Sequence, residues 1–214
     1  DHIDITFNEP IDPTTFTSDD VRTIPSSLKS LSYLKINYAY TVVIVGDLAY
    51  VGQQAQSLEG MKIVDISDPA NPVMIGSTNA AATDLVVSGN YVYTAGAGLE
   101  VFDVSDPTAP SMVGWWGDYS LTYGVAKSGD LVYLTGNSTG LDIINVSNPT
   151  LPVRIGHLNL PTNARDIAVV GSYVYVANGQ SGLQVVDISN PASPKLVRTF
   201  NTSPAYAMHV TVSG

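Results

Sequence analysis

One phrase, written four times, constrains this chain more than any other feature. It reads GMKIVDISDPANP at 60–72, GLEVFDVSDPTAP at 98–110, GLDIINVSNPTLP at 140–152 and GLQVVDISNPASP at 182–194. Its marker residues, Asp65, Asp103, Asn145 and Asp187, are 38, 42 and 42 residues apart, and self-similarity at such a period is the signature of a repeat architecture. Four short apolar segments return around each phrase, as ATDLVVSG, NYVYTAG, GLEVFDVS and SMVGWWG do in the second copy. Alternation such as Tyr91-Val92-Tyr93 marks strands, and the Gly-Asp, Gly-Asn, Gly-Asp and Gly-Ser pairs between the first two strands mark hairpins. A four-stranded sheet of about 40 residues cannot bury both faces alone, so copies must pack face to face, and radial packing is the usual solution at this period. The predicted fold is therefore all-β: a β-propeller of four-stranded antiparallel blades at about 41–79, 80–120, 121–162 and 163–203.

The repeated phrase itself reads as punctuation. The third strand must stop and reverse into the fourth, and Asp65, Asp103, Asn145 and Asp187 are placed to accept hydrogen bonds from turn amides. Prolines 69, 107, 149 and 191 then fix φ and prevent the strand from continuing. A metal role is disfavoured, because each copy supplies few acidic groups and Asn replaces Asp at 145.

The ends do not complete the pattern. YAMHVTVSG at 206–214 matches a first strand and its turn, and LSYLKIN at 31–37 looks like the last strand of a preceding unit. The expectation is four whole blades within 29–214, flanked by partial ones (the last at 204–214), in a fragment of a larger propeller. The alternative is that another copy supplies the missing strands, since exposed blade edges invite pairing.

The unit ARDIAVVGSYVYVANGQSGLQVVDISNPASPKLVRTF at 164–200 resembles the LVIVD-repeat proteins of bacterial and archaeal surfaces. The resemblance covers about residues 40–214. It implies a propeller and an extracellular, cell-surface setting, and no catalytic residues. Residues 1–28 contain Phe7-Asn8-Glu9-Pro10-Ile11-Asp12-Pro13 and resemble the latter part of a bacterial immunoglobulin-like domain. So short a segment cannot build the seven strands of such a sandwich, so it reads as a remnant or linker.

Charge and composition exclude several classes of partner. Nine basic against nineteen acidic residues give a net charge of -10, which on average repels nucleic acid and anionic membrane surfaces. The absence of cysteine removes disulfides, thiolate metal sites and cysteine nucleophiles. No apolar run approaches the ~20 residues of a helical membrane span, so no membrane insertion is expected in this segment. His2, His157 and His209 lie far apart without metal spacing and read as surface or packing residues. GNSTG at 136–140 lacks the nucleophile-elbow pattern, and GAGLEV at 96–101 leads into a strand rather than the helix of a phosphate loop. Neither a metal nor a cofactor is expected.

In propellers of this strand order the connections between blades gather on one face. There the sequence places Tyr38, Tyr40, Asp84, Tyr119, Tyr123, Arg165, Asp166, Tyr206 and His209. Aromatic rings with a few polar heads suit protein or glycan contact. The leading expectation is a non-enzymatic surface or matrix protein using the propeller as a rigid interaction or adhesion platform. One alternative is a polysaccharide-binding or polysaccharide-degrading enzyme fragment, with Asp84 and Asp166 as the carboxylate pair. Another is a self-assembling subunit of a filament or lattice, with copies of itself as partner.

Overall fold

The structure, a computed structural model, describes residues 34–36, 38–53, 60–136, 140–161, 164–203 and 205–212, apart from the side chains of 118 and 119. The chain divides into Asp1–Tyr33 and Leu34–Gly214. The expected immunoglobulin-like remnant thus lies outside the described residues, as do residues 31–33 and 37 of LSYLKIN; residues 34–36 of that stretch form no strand.

The second unit is all-β. The first blade is β1 (Ala39–Val45), β2 (Leu48–Gln53), β3 (Lys62–Asp65) and β4 (Val73–Ser77), antiparallel in the order 1-2-3-4. The last is β11 (Asp166–Val170), β12 (Tyr173–Ala177), β13 (Leu183–Asp187) and β14 (Lys195–Phe200), in the same order. Between them β5 (Asp84–Ser88), β6 (Tyr91–Asp103), β7 (Ser111–Ser128), β8 (Leu131–Gly136), β9 (Gly140–Asn145) and β10 (Val153–Leu158) form one six-stranded sheet. The second and third blades are joined into this one sheet. Gly96-Ala97-Gly98 turn the chain back within β6, whose ends meet where the Val104 amide donates to the Asn90 carbonyl, so β6 holds both the second and the third strand of the second blade. In the same way β7 carries the fourth strand of the second blade into the first strand of the third, and the Ala97 to Leu121 pair joins the two blades. Counting β6 and β7 as two strands each restores four strands per blade.

Local chemistry explains the hairpins. Gly46, Gly89, Gly129 and Gly171 all have φ between +55° and +59°, which a two-residue hairpin loop with glycine in its first position requires. Beside each of these turns Ile66, Val104, Val146 and Ile188, just past the third strand, donate their amides to the carbonyls of the turn residues Asp47, Asn90, Asp130 and Ser172. The repeated phrase folds as a double turn. Asp65, Asp103, Asn145 and Asp187 accept from the amides of Ser67, Ser105, Ser147 and Ser189 at 2.8 to 2.9 Å. Asp68, Asp106, Asn148 and Asn190 then accept from Ala70, Thr108, Thr150 and Ala192. These bonds hold the Asp65, Asp103 and Asp187 carboxyls below the usual carboxylate range, Asp65 chiefly through the Ser67 hydroxyl and the other two chiefly through the amides of Ser105 and Ser189.

The core lies between blades. Tyr50, Met61 and Ile63 of the first blade meet Leu85, Val92 and Phe102 of the second. Leu99 and Val101 of the second meet Val132, Leu134 and Ile144 of the third, and Leu141 and Ile143 of the third meet Val174, Val176 and Val186 of the fourth. A main-chain contact at the outer strand accompanies this packing. A Cβ built on Gly76 would stand 2.0 Å from the Pro107 carbonyl oxygen of the next blade; the corresponding distances are 2.1 Å from Gly114 to Pro149 and 1.9 Å from Gly156 to Pro191. Only glycine allows the turn of one blade to seat this closely on the fourth strand of the blade before it. The fourth blade carries Arg198 at that position, with its guanidinium 4.5 Å from the centre of the Phe200 ring.

Candidate ligand-binding face

The first strands are innermost, and those of successive blades touch: β1 meets β5, β5 meets β7 and β7 meets β11. Their leading ends converge on a cleft of about 250 Å³ lined by Tyr40, Thr41, Thr83, Tyr123, Arg165, Asp166, Met208 and His209. Tyr40, Thr83, Tyr123, Arg165 and Met208 occupy one position of the repeat, and Thr41, Asp166 and His209 occupy the next. Two repeat positions from five successive units therefore build the whole lining.

Arg165 lies over the Tyr123 ring, 4.8 Å from its centroid, a cation–π contact that orders both side chains at the mouth. Thr83 donates its hydroxyl to the carbonyls of Thr122 (2.8 Å) and Ala95 (3.0 Å), and its amide also donates to Ala95. The Arg165 amide makes the matching bond to the Ala177 carbonyl. The base of the cleft is in this way fixed by main chain.

Asp84 and Asp166 serve as staples. Asp84 accepts from its neighbour Leu85 and, through its other oxygen, from Val125 at the third blade's first strand, at 2.9 and 2.8 Å. Asp166 accepts from Ile167 and Val210, each at 2.8 Å, and His209 Nδ1 lies 3.2 Å from its Oδ2. Burial pushes the Asp84 carboxyl up to about 6; the Asp166 charge adds to that, while the Val125 and Leu85 amides and His209 act against it. All four carboxylate oxygens are thus committed to main-chain amides, which fasten one blade to the first strand of the next unit.

Of the residues expected on this face, the cleft unites Tyr40, Tyr123, Arg165, Asp166 and His209, with Asp84 tied to the same strands. Tyr38 stands exposed before β1 with φ +55°, and Tyr206 accepts from Gln180 Nε2 in a separate depression that includes Asn201 and Ser203. The side chain of Tyr119 lies outside the described residues. Thr41, Thr83 and Met208 were missed, although aligning the repeats places each in a column with a chosen residue. Among the described residues no three metal-ligating side chains converge, and no helix is long and apolar enough to cross a membrane.

Four stretches, 37–80, 81–117, 122–159 and 161–202, match the family model described as the LVIVD repeat. No curated protein matches the chain. Among solved structures it is similar to the computationally designed Ika8 protein, with 13% identity and a TM-score of 0.63 over 81% of this chain and 52% of that one. The likeness is one of fold, and this chain spans about half the length of that structure.

Proposed function

The chain belongs to the LVIVD-repeat family, and from that premise we propose that it is a non-enzymatic extracellular protein whose propeller blades form a rigid platform for adhesion. The partner is a protein or glycan, held at the cleft where the first strands converge. One observation carries the reading: two repeat positions from five units bring Tyr40, Tyr123, Arg165, Asp166 and His209 around one cleft, on a base that main-chain bonds hold fixed. Aromatic area with a few ordered polar heads favours recognition at small entropic penalty. The two carboxylates, already engaged by amides, support a scaffold role over acid–base work.

The test is a screen of the 214-residue chain on arrays of glycans and surface-protein peptides, repeated with Tyr123→Ala and Arg165→Ala. Both variants are expected to lose the captured ligand while keeping the wild-type melting temperature. Turnover of a glycan, ester or peptide that disappears in Arg165→Ala would overturn the reading, and so would binding indifferent to both substitutions.

A further inference from the structure

A second groove runs between the outer strands of the second and third blades, about 600 Å³ in volume and lined by Trp116, Asp142, Pro152, Val153, Arg154, His157 and Asn159 among others. That volume is within the range of small-molecule sites. The repeat supplies its own controls, because the equivalent grooves between the first and second blades (about 460 Å³) and between the third and fourth (about 340 Å³) share the same backbone plan.

The third strands of the second, third and fourth blades each place a polar side chain on a groove floor at one register position: Glu100, Asp142 and Gln184, paired across the sheet with Trp115, His157 and Thr199. In the fourth blade this position is satisfied without charge, Gln184 accepting from the Thr199 hydroxyl at 2.9 Å and donating to the Ser181 carbonyl at 3.0 Å. The fold therefore does not require an ion there. The third blade nevertheless carries a carboxylate with only 3% of its side chain exposed, joined at Oδ1 by Arg154 Nη1 (3.1 Å) and His157 Nδ1 (2.8 Å). The second ring nitrogen of His157 is 3.0 Å from Asn159 Oδ1, so the imidazole is fixed at both ends.

Arg154 is the clearest departure. Its register position, opposite Ile144, is held in the sister blades by Met74, Met112 and Leu196, all exposed and apolar. The guanidinium lies 5.6 Å from the centre of the Trp116 ring across the groove. Clamped by that ring and by Asp142, it remains 48% exposed, and its one described bond engages a single donor of five. A pre-ordered guanidinium is a carboxylate receptor. Beside it Pro152 and Val153 offer apolar wall and Asn159 a side-chain amide, a mixture suited to the C–H faces and hydroxyls of a sugar ring.

We propose that the groove between the second and third blades is a binding site for a uronic acid residue of an acidic polysaccharide, with Arg154 receiving its carboxylate and Asp142 and Trp116 positioning Arg154. The site is separate from the cleft at the first strands and does not depend on the reading given for it.

Calorimetric titration of the 214-residue chain with a trigalacturonate, a neutral trisaccharide and a short peptide with a free acidic C-terminus tests this. Only the uronate is expected to bind. Arg154→Met, which installs the residue of two sister blades, is expected to weaken it by at least about tenfold, as loss of a charge-assisted pair does. Asp142→Asn, which keeps the shape and releases the guanidinium, is expected to weaken it less. Arg198→Ala, which removes the same charge outside the groove, is expected to leave it unchanged. The proposal falls if trigalacturonate gives no binding, if the neutral sugar or the peptide binds as well or better, or if Arg154→Met binds like wild type at an unchanged melting temperature.

Discussion

Leu141 and Ile143 in the third blade and Leu183 and Val185 in the fourth are the same two residues of the repeat, yet the first pair is fully buried and the second is partly exposed. The other end of the array shows the same contrast. Leu85, Val125 and Ile167 are at most 5% exposed, whereas their counterpart Val42 is 59% exposed. Composition does not separate these sites. What differs is whether a described sheet lies against them, so the stabilisation of each blade resides mainly in its junctions, as in arrays whose stability is a sum of nearest-neighbour interfaces.

The largest test of that contrast is a pair of truncations. Leu141→Ala is expected to destabilise by about 3 kcal/mol, the transfer and cavity cost of a closed core site, and Leu183→Ala by about 1 kcal/mol, because water already reaches it. Urea denaturation of both variants would show it, and equal losses would mean that burial by the neighbouring blade does not set the energetics. A second test addresses the outer contact. Gly114→Ala drives a Cβ into the Pro149 carbonyl and is expected to lower stability by about 2 kcal/mol as the blades shift apart, whereas Arg198→Ala removes an exposed side chain and is expected to stay within about 0.5 kcal/mol. The smallest effect concerns the inner staple. The Asp84 carboxyl is raised from 3.8 to about 6, so its contribution to stability is fully present below its ordinary value and is lost as pH rises through about 6. Melting temperature is expected to carry a downward component between about pH 4 and 6 that Asp84→Asn removes; an identical slope in the variant would contradict the buried carboxylate. The turn aspartates Asp65, Asp103 and Asp187 act oppositely, losing their contribution as pH falls below the usual carboxylate range.

Much of this architecture is legible in the chain because the repeat states it four times. The positive-φ glycines of the hairpins and the prolines of the double turns are residues whose backbone restrictions act locally, so no tertiary information is needed to place them. The joining of the second and third blades was not legible, because it rests on the Ala97 to Leu121 pair, a contact between residues of two different repeats that no local pattern announces. Asp84 and Asp166 were expected on the face where the blades connect, but not as staples, because their amide partners Val125 and Val210 lie more than 40 positions away. Asp142, Arg154 and His157 carry no motif, because they meet only through antiparallel register and the irregularity between Arg154 and Gly156. Column-by-column comparison of the repeats is the signal that exposes them, since Arg154 interrupts a column of Met and Leu.

The seat of Pro107, Pro149 and Pro191 on Gly76, Gly114 and Gly156 is made of a main-chain carbonyl and the ring of the phrase's closing proline, Pro110, Pro152 or Pro194, parts that recur in every blade. Each of the first three blades offers the same glycine to the turn of its successor, so this outer contact repeats unchanged while the core residues beside it vary. At Arg198 the fourth blade offers a guanidinium in place of that glycine, so the same close seat is not repeated there.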